Sequence, residues 1–220
     1  MSIFYAMNGK LVSAAWLIVI AGLLDAFDGK IARFFEIPSN FGVQFDSVVD
    51  VCSFGVAPAV LMLFYYEDLL DNRWLPFFVC FLFLMCGALR LARFNLTAEG
   101  LEKLNFTGLP IPTAAGTLAA YIIFSLNAWN SNHEPHVAIG LSVMLSFLMV
   151  SSFEYESFPK FTFETKRDRV KLAIALSVVF LVVFFTDELF FPLALGFSLS
   201  GAVRWLFIQI TGWETAKVRN

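Results

Sequence analysis

Residues 25–50 read DAFDGKIARFFEIPSNFGVQFDSVVD, in which four aspartates lie at helical spacing within a largely apolar stretch. Asp25 and Asp28 are three residues apart and Asp46 and Asp50 are four apart, so each pair shares one face of a helix. An aspartate at the centre of a membrane helix costs about 2.5–3.5 kcal/mol on the insertion scale. Four of them are therefore expected only where a cation offsets their charge.

The composition of the whole chain is typical of an integral membrane protein. Of 220 residues, 59% are hydrophobic and 15% are charged, whereas soluble domains carry about 25% charged residues. The formal net charge is −3, and the sequence has no strongly basic segment of the kind that binds nucleic acid. We therefore expect a protein whose surroundings are lipid and which binds no nucleic acid.

Apolar runs predict an all-α, polytopic transmembrane helix bundle with seven full spans and a fragment of an N-terminal one. Each run is long enough to cross about 30 Å of hydrocarbon at a rise of about 1.5 Å per residue. Residues 1–7 are expected to be the last turns of an earlier helix. The expected spans are 11–34, 43–65, 75–94, 111–128, 137–154, 170–186 and 189–210.

The lysines and arginines predict the orientation of the bundle. If the turn at 8–10 faces outward, only Lys10 and Arg73 of the 15 basic residues lie on the outer side. Cytoplasmic loops carry the excess of basic residues in membrane proteins. The four aspartates are then expected near the cytoplasmic side.

The aspartates predict a metal site. The short connection between the first two spans makes them antiparallel neighbours, so all four carboxylates can converge on one pocket. Ligands that offer only oxygen favour Mg²⁺ or Mn²⁺, and four carboxylates can hold two such ions, a number suited to displacement at phosphorus. Gly29 and Gly42 leave room for a ligand beside the backbone, and Arg33 can reach a phosphate.

Two other interpretations of the aspartates are open. They can be interfacial charges that cap helix ends, which explains one or two of them but not four together with the glycines and Arg33. They can also form the ion site of a transporter. Transporters of that kind show internal repeats or matching broken helices, and neither is visible in this sequence.

The pattern D-x2-D-G-x2-A-R-x8-G-x3-D-x3-D resembles the signature of the CDP-alcohol phosphotransferase family, with every defined position present at the family's spacing. The resemblance implies two divalent cations, Mg²⁺ or Mn²⁺, held by the four aspartates. It implies catalysis at Asp46 and Asp50, with Asp50 as the base that deprotonates the acceptor alcohol. It also implies a CDP pocket lined by Gly29, Ala32, Arg33 and Gly42.

Three further stretches are similar to the phosphatidylserine synthase subgroup of that family, at 53–59 (SFGVAPA), 90–95 (RLARFN) and 106–112 (FTGLPIP). The resemblance implies transfer of the phosphatidyl group of CDP-diacylglycerol to L-serine, which yields phosphatidylserine and CMP. The same chemistry with glycerol phosphate, inositol or choline is one alternative. A cation transporter with an intramembrane carboxylate site is the alternative from another class.

Serine carries a carboxylate that glycerol phosphate and inositol lack. Arg90 and Arg93 are three residues apart at one end of a helix, so both can face an anion. We expect one to pair with the serine carboxylate and the other with a lipid phosphate, unless both anchor the helix at the interface. Asn95 and Ser53 are candidates for hydrogen bonds to substrate, or for a helix cap and a bond within the helix.

The resemblance also implies the organisation of the protein. It implies one integral membrane domain over 1–220, with a catalytic core at about 11–155 and two C-terminal helices at about 170–210. It implies a multi-pass homodimer in a bacterial or archaeal cell membrane, with its active site on the cytoplasmic side. Family members usually carry a full helix before position 8, and its polar residues help to bind the nucleotide.

Overall fold

The structure is a computed structural model that describes residues 1–34, 40–67, 74–98, 106–128, 135–155 and 186–211. Within these ranges the regular secondary structure is helical apart from two short strands, β1 (Phe106–Thr107) and β2 (Glu154–Tyr155). A π-helical segment, Val51–Val56, joins α3 to α4. The α-helices are α1 Ser2–Met7, α2 Leu11–Phe34, α3 Asn40–Asp50, α4 Ala57–Glu67, α5 Trp74–Ala98, α6 Ile111–Ala128, α7 Pro135–Val150 and α8 Thr186–Thr211.

The helices have the length and composition of a membrane protein. Within the described ranges, three stretches are long and apolar enough to cross a membrane, namely Gln44–Tyr66, Trp74–Leu96 and Leu189–Thr211. The helical membrane class predicted from the sequence is thus confirmed, while the expected span at 170–186 lies outside the described residues. Shorter apolar helices occupy Leu11–Asp25, Ile111–Asn127 and His136–Val150.

Helix α6 lies at the centre of the bundle and packs against α2, α7 and α8. Ala114, Ala115 and Ala119 of this helix are fully buried, and small side chains of this kind let helices approach closely in membranes. Two buried tyrosines of α4 complete the packing. The Tyr65 hydroxyl lies 2.9 Å from that of Ser125 on α6, which satisfies both polar groups inside the apolar core.

The N-terminal residues and the end of α7 show where the sequence predictions succeed and fail. Residues 2–7 are helical as expected, and the Ser2 hydroxyl donates to the Ala14 carbonyl of α2 at 2.8 Å. Helix α7 ends at Val150, before the expected boundary at 154. The reason is that Phe106 and Thr107 pair with the following residues, Tyr155 and Glu154, as antiparallel strands.

Tyr155 docks β2 against α8. Its side chain is buried, and its hydroxyl donates to the Ser198 carbonyl at 2.8 Å. Burial raises the pKa of Tyr155 to about 12, so the hydroxyl keeps its proton at neutral pH and remains a donor. The Ser198 hydroxyl lies 2.9 Å from that of Thr117 on α6. This chain of polar contacts therefore holds the last described helix on the core.

We expect Gly201→Ala to destabilise the docking of α8. A Cβ at position 201 would lie 2.6 Å from Cζ of Tyr155, and overpacking of this kind costs about 1–3 kcal/mol. Gly196→Ala on the same helix is the matched control, because nothing lies within 4 Å of its Cβ and alanine favours a helix by about 0.5–1 kcal/mol. Thermal unfolding in detergent compares the two variants, and equal midpoints would contradict the packing described here.

Candidate functional site

Three of the four expected aspartates converge in the structure. Asp25 comes from α2, and Asp46 and Asp50 come from α3. One carboxylate oxygen from each lies within 4.8 Å of the others, with Asp25 and Asp50 half-buried and Asp46 exposed. Carboxylates this close repel one another unless a proton or a cation is shared. Their convergence across two helices is the geometry that the spacing predicts.

The remaining residues of the signature are only partly visible. Asp28, Gly29, Ala32 and Arg33 continue α2, but their side chains lie outside the described part of the structure. Gly42 is exposed in the first turn of α3. Metal binding by Asp28 and a CDP pocket at Gly29, Ala32, Arg33 and Gly42 therefore stay predictions.

The donor set fits a divalent cation. It consists of carboxylate oxygens, the ligands that Mg²⁺ and Mn²⁺ prefer. Among the described residues, Oδ1 of Asp50 is buried and has no hydrogen-bond partner. A buried carboxylate oxygen without a partner is destabilising, and a cation held by Asp25, Asp46 and Asp50 would satisfy it. The three carboxylates can therefore serve as a metal site.

The π-helical segment begins directly after Asp50. A π-turn adds a residue to the helical repeat, so the face that carries Asp46 and Asp50 does not continue in register into α4. Gly55 within the segment packs closely on α5, since a Cβ there would lie 2.9 Å from Cδ1 of Leu84. The segment thus rotates the apolar residues of α4 relative to the aspartates. The sequence patterns do not predict this segment, and the only local signal is Gly55 within an apolar run.

The C-terminal part of α5 lies beside the aspartates. Asn95 donates through Nδ2 to the Ser47 hydroxyl at 2.9 Å, next in sequence to Asp46. Arg90 interacts electrostatically with Asp50, and its Cζ lies 5.5 Å from the centroid of the Phe94 ring. Among the candidates named from the sequence, Arg90 and Asn95 are thereby brought to the carboxylate site.

Two other candidates have different surroundings. The Arg93 guanidinium donates to backbone carbonyls at the end of α7 and at β1. The N···O distances are 2.9 Å to Val150, 2.9 Å to Thr107, 3.0 Å to Ser151 and 3.5 Å to Met149. The last carbonyls of a helix lack intrahelical partners, and a cation there is favourable. Ser53 is half-buried within the π-helical segment. Contact between substrate and either residue stays a prediction.

Known proteins are similar to this chain over most of its length. The family profile described as CDP-alcohol phosphatidyltransferase matches residues 1–153. The chain is 35% identical over 212 residues to the CDP-diacylglycerol–serine O-phosphatidyltransferase of Helicobacter pylori, which covers 96% of this chain and 86% of that protein.

Archaeal relatives match a shorter region. The archaetidylserine synthase of Methanothermobacter thermautotrophicus is 39% identical over 158 residues, 70% of this chain and 63% of that protein. The CDP-diacylglycerol–serine O-phosphatidyltransferase of Methanocaldococcus jannaschii is 34% identical over 159 residues, 72% of this chain and 71% of that protein. The region matched by the profile contains the converging aspartates and all of α5, so the resemblance seen in the signature is confirmed and the chain belongs to the CDP-alcohol phosphatidyltransferase family.

Proposed function

We propose that this protein transfers the phosphatidyl group of CDP-diacylglycerol to the hydroxyl of L-serine, giving phosphatidylserine and CMP. The observation that carries the proposal is the convergence of Asp25, Asp46 and Asp50 within 4.8 Å in a chain of this family. The choice of serine is supported by the relatives named for serine transfer. They do not favour another alcohol or a cation transporter.

Asp50 is proposed as the base. Its carboxylate accepts the proton of the serine hydroxyl as the hydroxyl oxygen bonds to the phosphorus attached to diacylglycerol. The bond from that phosphorus to the bridging oxygen breaks, and CMP leaves with the electron pair. The place of Asp50 in the carboxylate cluster at the end of α3 supports this role, as does its buried Oδ1, which among the described residues has no hydrogen-bond partner and can accept a proton.

The signature residues are proposed to hold the metals and the nucleotide. Asp25, Asp28, Asp46 and Asp50 bind two divalent cations, Mg²⁺ or Mn²⁺, which when bound would neutralise the diphosphate and the charge that develops on CMP. The CDP moiety lies against Gly29, Ala32, Arg33 and Gly42. Their place on the helices that carry the aspartates supports this assignment.

The whole chain is proposed to form one membrane domain with seven spans, its core at about 11–155, and the aspartates at the cytoplasmic side. The excess of lysine and arginine on that side supports the orientation. The lipid tails of the substrate then lie between helices, with the head group at the interface. The homodimer implied by the resemblance stays a prediction.

An assay of CMP release tests the proposed function. The purified full chain is incubated with CDP-diacylglycerol, Mn²⁺ or Mg²⁺, and one alcohol at a time from a panel of serine, glycerol phosphate, inositol and choline. We expect release with serine that stops when the metal is removed by a chelator. Release of CMP with a different alcohol, and not with serine, would show that this alcohol is the acceptor. No release by a protein that elutes as one folded species would reject the transferase.

A further inference from the structure

Two contacts define how α5 lies against the helix that carries the aspartates. Near one end, Asn95 of α5 bonds to Ser47 of α3 at 2.9 Å. Further along, Leu84 of α5 packs on Gly55 of the π-helical segment. The two helices are therefore antiparallel in this region. The residues between 47 and 55 on one helix face the residues between 84 and 95 on the other.

Arg90 and Asp50 both lie between these contacts, which agrees with the electrostatic interaction between them. Arg90 is only 7% exposed. Among the described residues, its Nε has no hydrogen-bond partner, and neither has Oδ1 of Asp50. A buried guanidinium with an unused donor is destabilising unless an acceptor satisfies it. The side of the carboxylate site formed by α5 thus presents a positive charge with spare donor capacity.

Arg93 differs from Arg90 although the two are one helical turn apart. Its guanidinium donates to carbonyls of four residues, two of which, Thr107 and Val150, lie at 2.9 Å. Arginine has five N–H donors in a planar fork, and these contacts use that fork to join α5 to the end of α7 and to β1. Arg93 therefore ties the end of α5 to α7 and to β1, and these contacts with the fold engage its guanidinium.

We propose that Arg90 binds an anionic oxygen group of a substrate beside the aspartates, and that Arg93 is a structural residue that joins α5 to α7 and β1 and contacts no substrate. The proposal rests on the proposed function and deepens it, because it assigns one residue to anion recognition. The anion is either the carboxylate of serine or a phosphate oxygen of the CDP-lipid, and both suit a guanidinium. Only Arg90 then binds an anionic group of a substrate, whereas the sequence suggests that role for both arginines.

The test compares Arg90→Ala and Arg90→Gln with Arg93→Ala in the full-length protein. For Arg90→Ala we expect the KM of one substrate to rise about tenfold or more, as for loss of a charge-assisted hydrogen bond, with the unfolding temperature unchanged or raised. A higher KM for serine identifies the carboxylate, and a higher KM for CDP-diacylglycerol identifies the phosphate. For Arg93→Ala we expect a lower unfolding temperature, with both KM values of the folded enzyme unchanged.

A second measurement does not depend on turnover. Wild type and Arg90→Gln are heated with Mn²⁺ and either L-serine or CDP-diacylglycerol, and we expect the substitution to remove the stabilisation by one of the two. If wild type is stabilised by CDP-diacylglycerol but releases no CMP with serine, the proposed function fails while the anion site is still tested. Unchanged KM values and unchanged ligand stabilisation would overturn the role of Arg90, as would unfolding of both Arg90 variants. A raised KM in a fully stable Arg93→Ala would overturn the role of Arg93.

Discussion

Asp50→Asn is expected to lower CMP release by about a thousandfold or more while the protein stays folded. An amide cannot accept the proton from the acceptor alcohol, and loss of a general base lowers rates by about 10²–10⁴-fold. An amide is also a poorer ligand for a hard cation than a carboxylate. Both losses fall on the same group, because Asp50 shares the carboxylate cluster with Asp25 and Asp46.

Thermal unfolding with and without Mn²⁺ distinguishes the loss of a base and metal ligand at Asp50 from a loss of structure. Wild type is expected to gain about 2.7 kcal/mol at a Mn²⁺ concentration 100-fold above the Kd, and Asp50→Asn is expected to gain much less. Without metal, the variant should be about as stable as wild type, because relief of the repulsion from Asp25 and Asp46 offsets the loss of the attraction to Arg90. Asp187→Asn at the start of α8 is the control for a carboxylate change elsewhere. Retained turnover, or a metal-free variant that unfolds far below wild type, would contradict the assignment.

Local signals account for much of the fold. The span expected at 11–34 matches α2, Leu11–Phe34, because the length of an apolar run and the turn residues beside it are readable without tertiary information. The π-helical segment Val51–Val56 is not readable in this way. Within it Gly55 closely approaches Leu84, a contact between helices that the sequence does not record.

The sequence likewise predicts one part of the candidate site and not the other. Spacing alone predicts that Asp25 meets Asp46 and Asp50. The helical spacing within each pair of aspartates places the pair on one face, and the short connection between the two expected spans brings those faces together. Spacing cannot distinguish Arg90 from Arg93, because residues three apart share a helix face. The difference between them arises from residues remote in sequence, such as Val150, whose carbonyl accepts from Arg93. Tertiary contacts therefore decide which of the two arginines has donors to offer a ligand.

Gly108→Ala is expected to destabilise the protein more than either Gly201→Ala or Gly9→Ala. Gly108 has φ +83°, and the left-handed region costs a residue with a Cβ about 1–2 kcal/mol. An added Cβ would also lie 2.6 Å from Nη2 of Arg93 and in close contact with the Met149 carbonyl. The substitution thus disturbs the junction that Arg93 forms with the end of α7, and we expect a total loss of about 3 kcal/mol or more.

Gly9→Ala is the matched control for the cost of a positive φ alone. Gly9 has φ +72°, but nothing lies within 4 Å of its Cβ, so we expect a loss of only about 1–2 kcal/mol. Unfolding by denaturant in detergent measures both, and equal losses would show that the contacts around Gly108 are unimportant. The double variant Gly108→Ala with Arg93→Ala adds a sharper criterion. Because the two residues touch, the losses should combine to less than their sum, whereas additive losses would mean that Gly108 does not act through the guanidinium of Arg93.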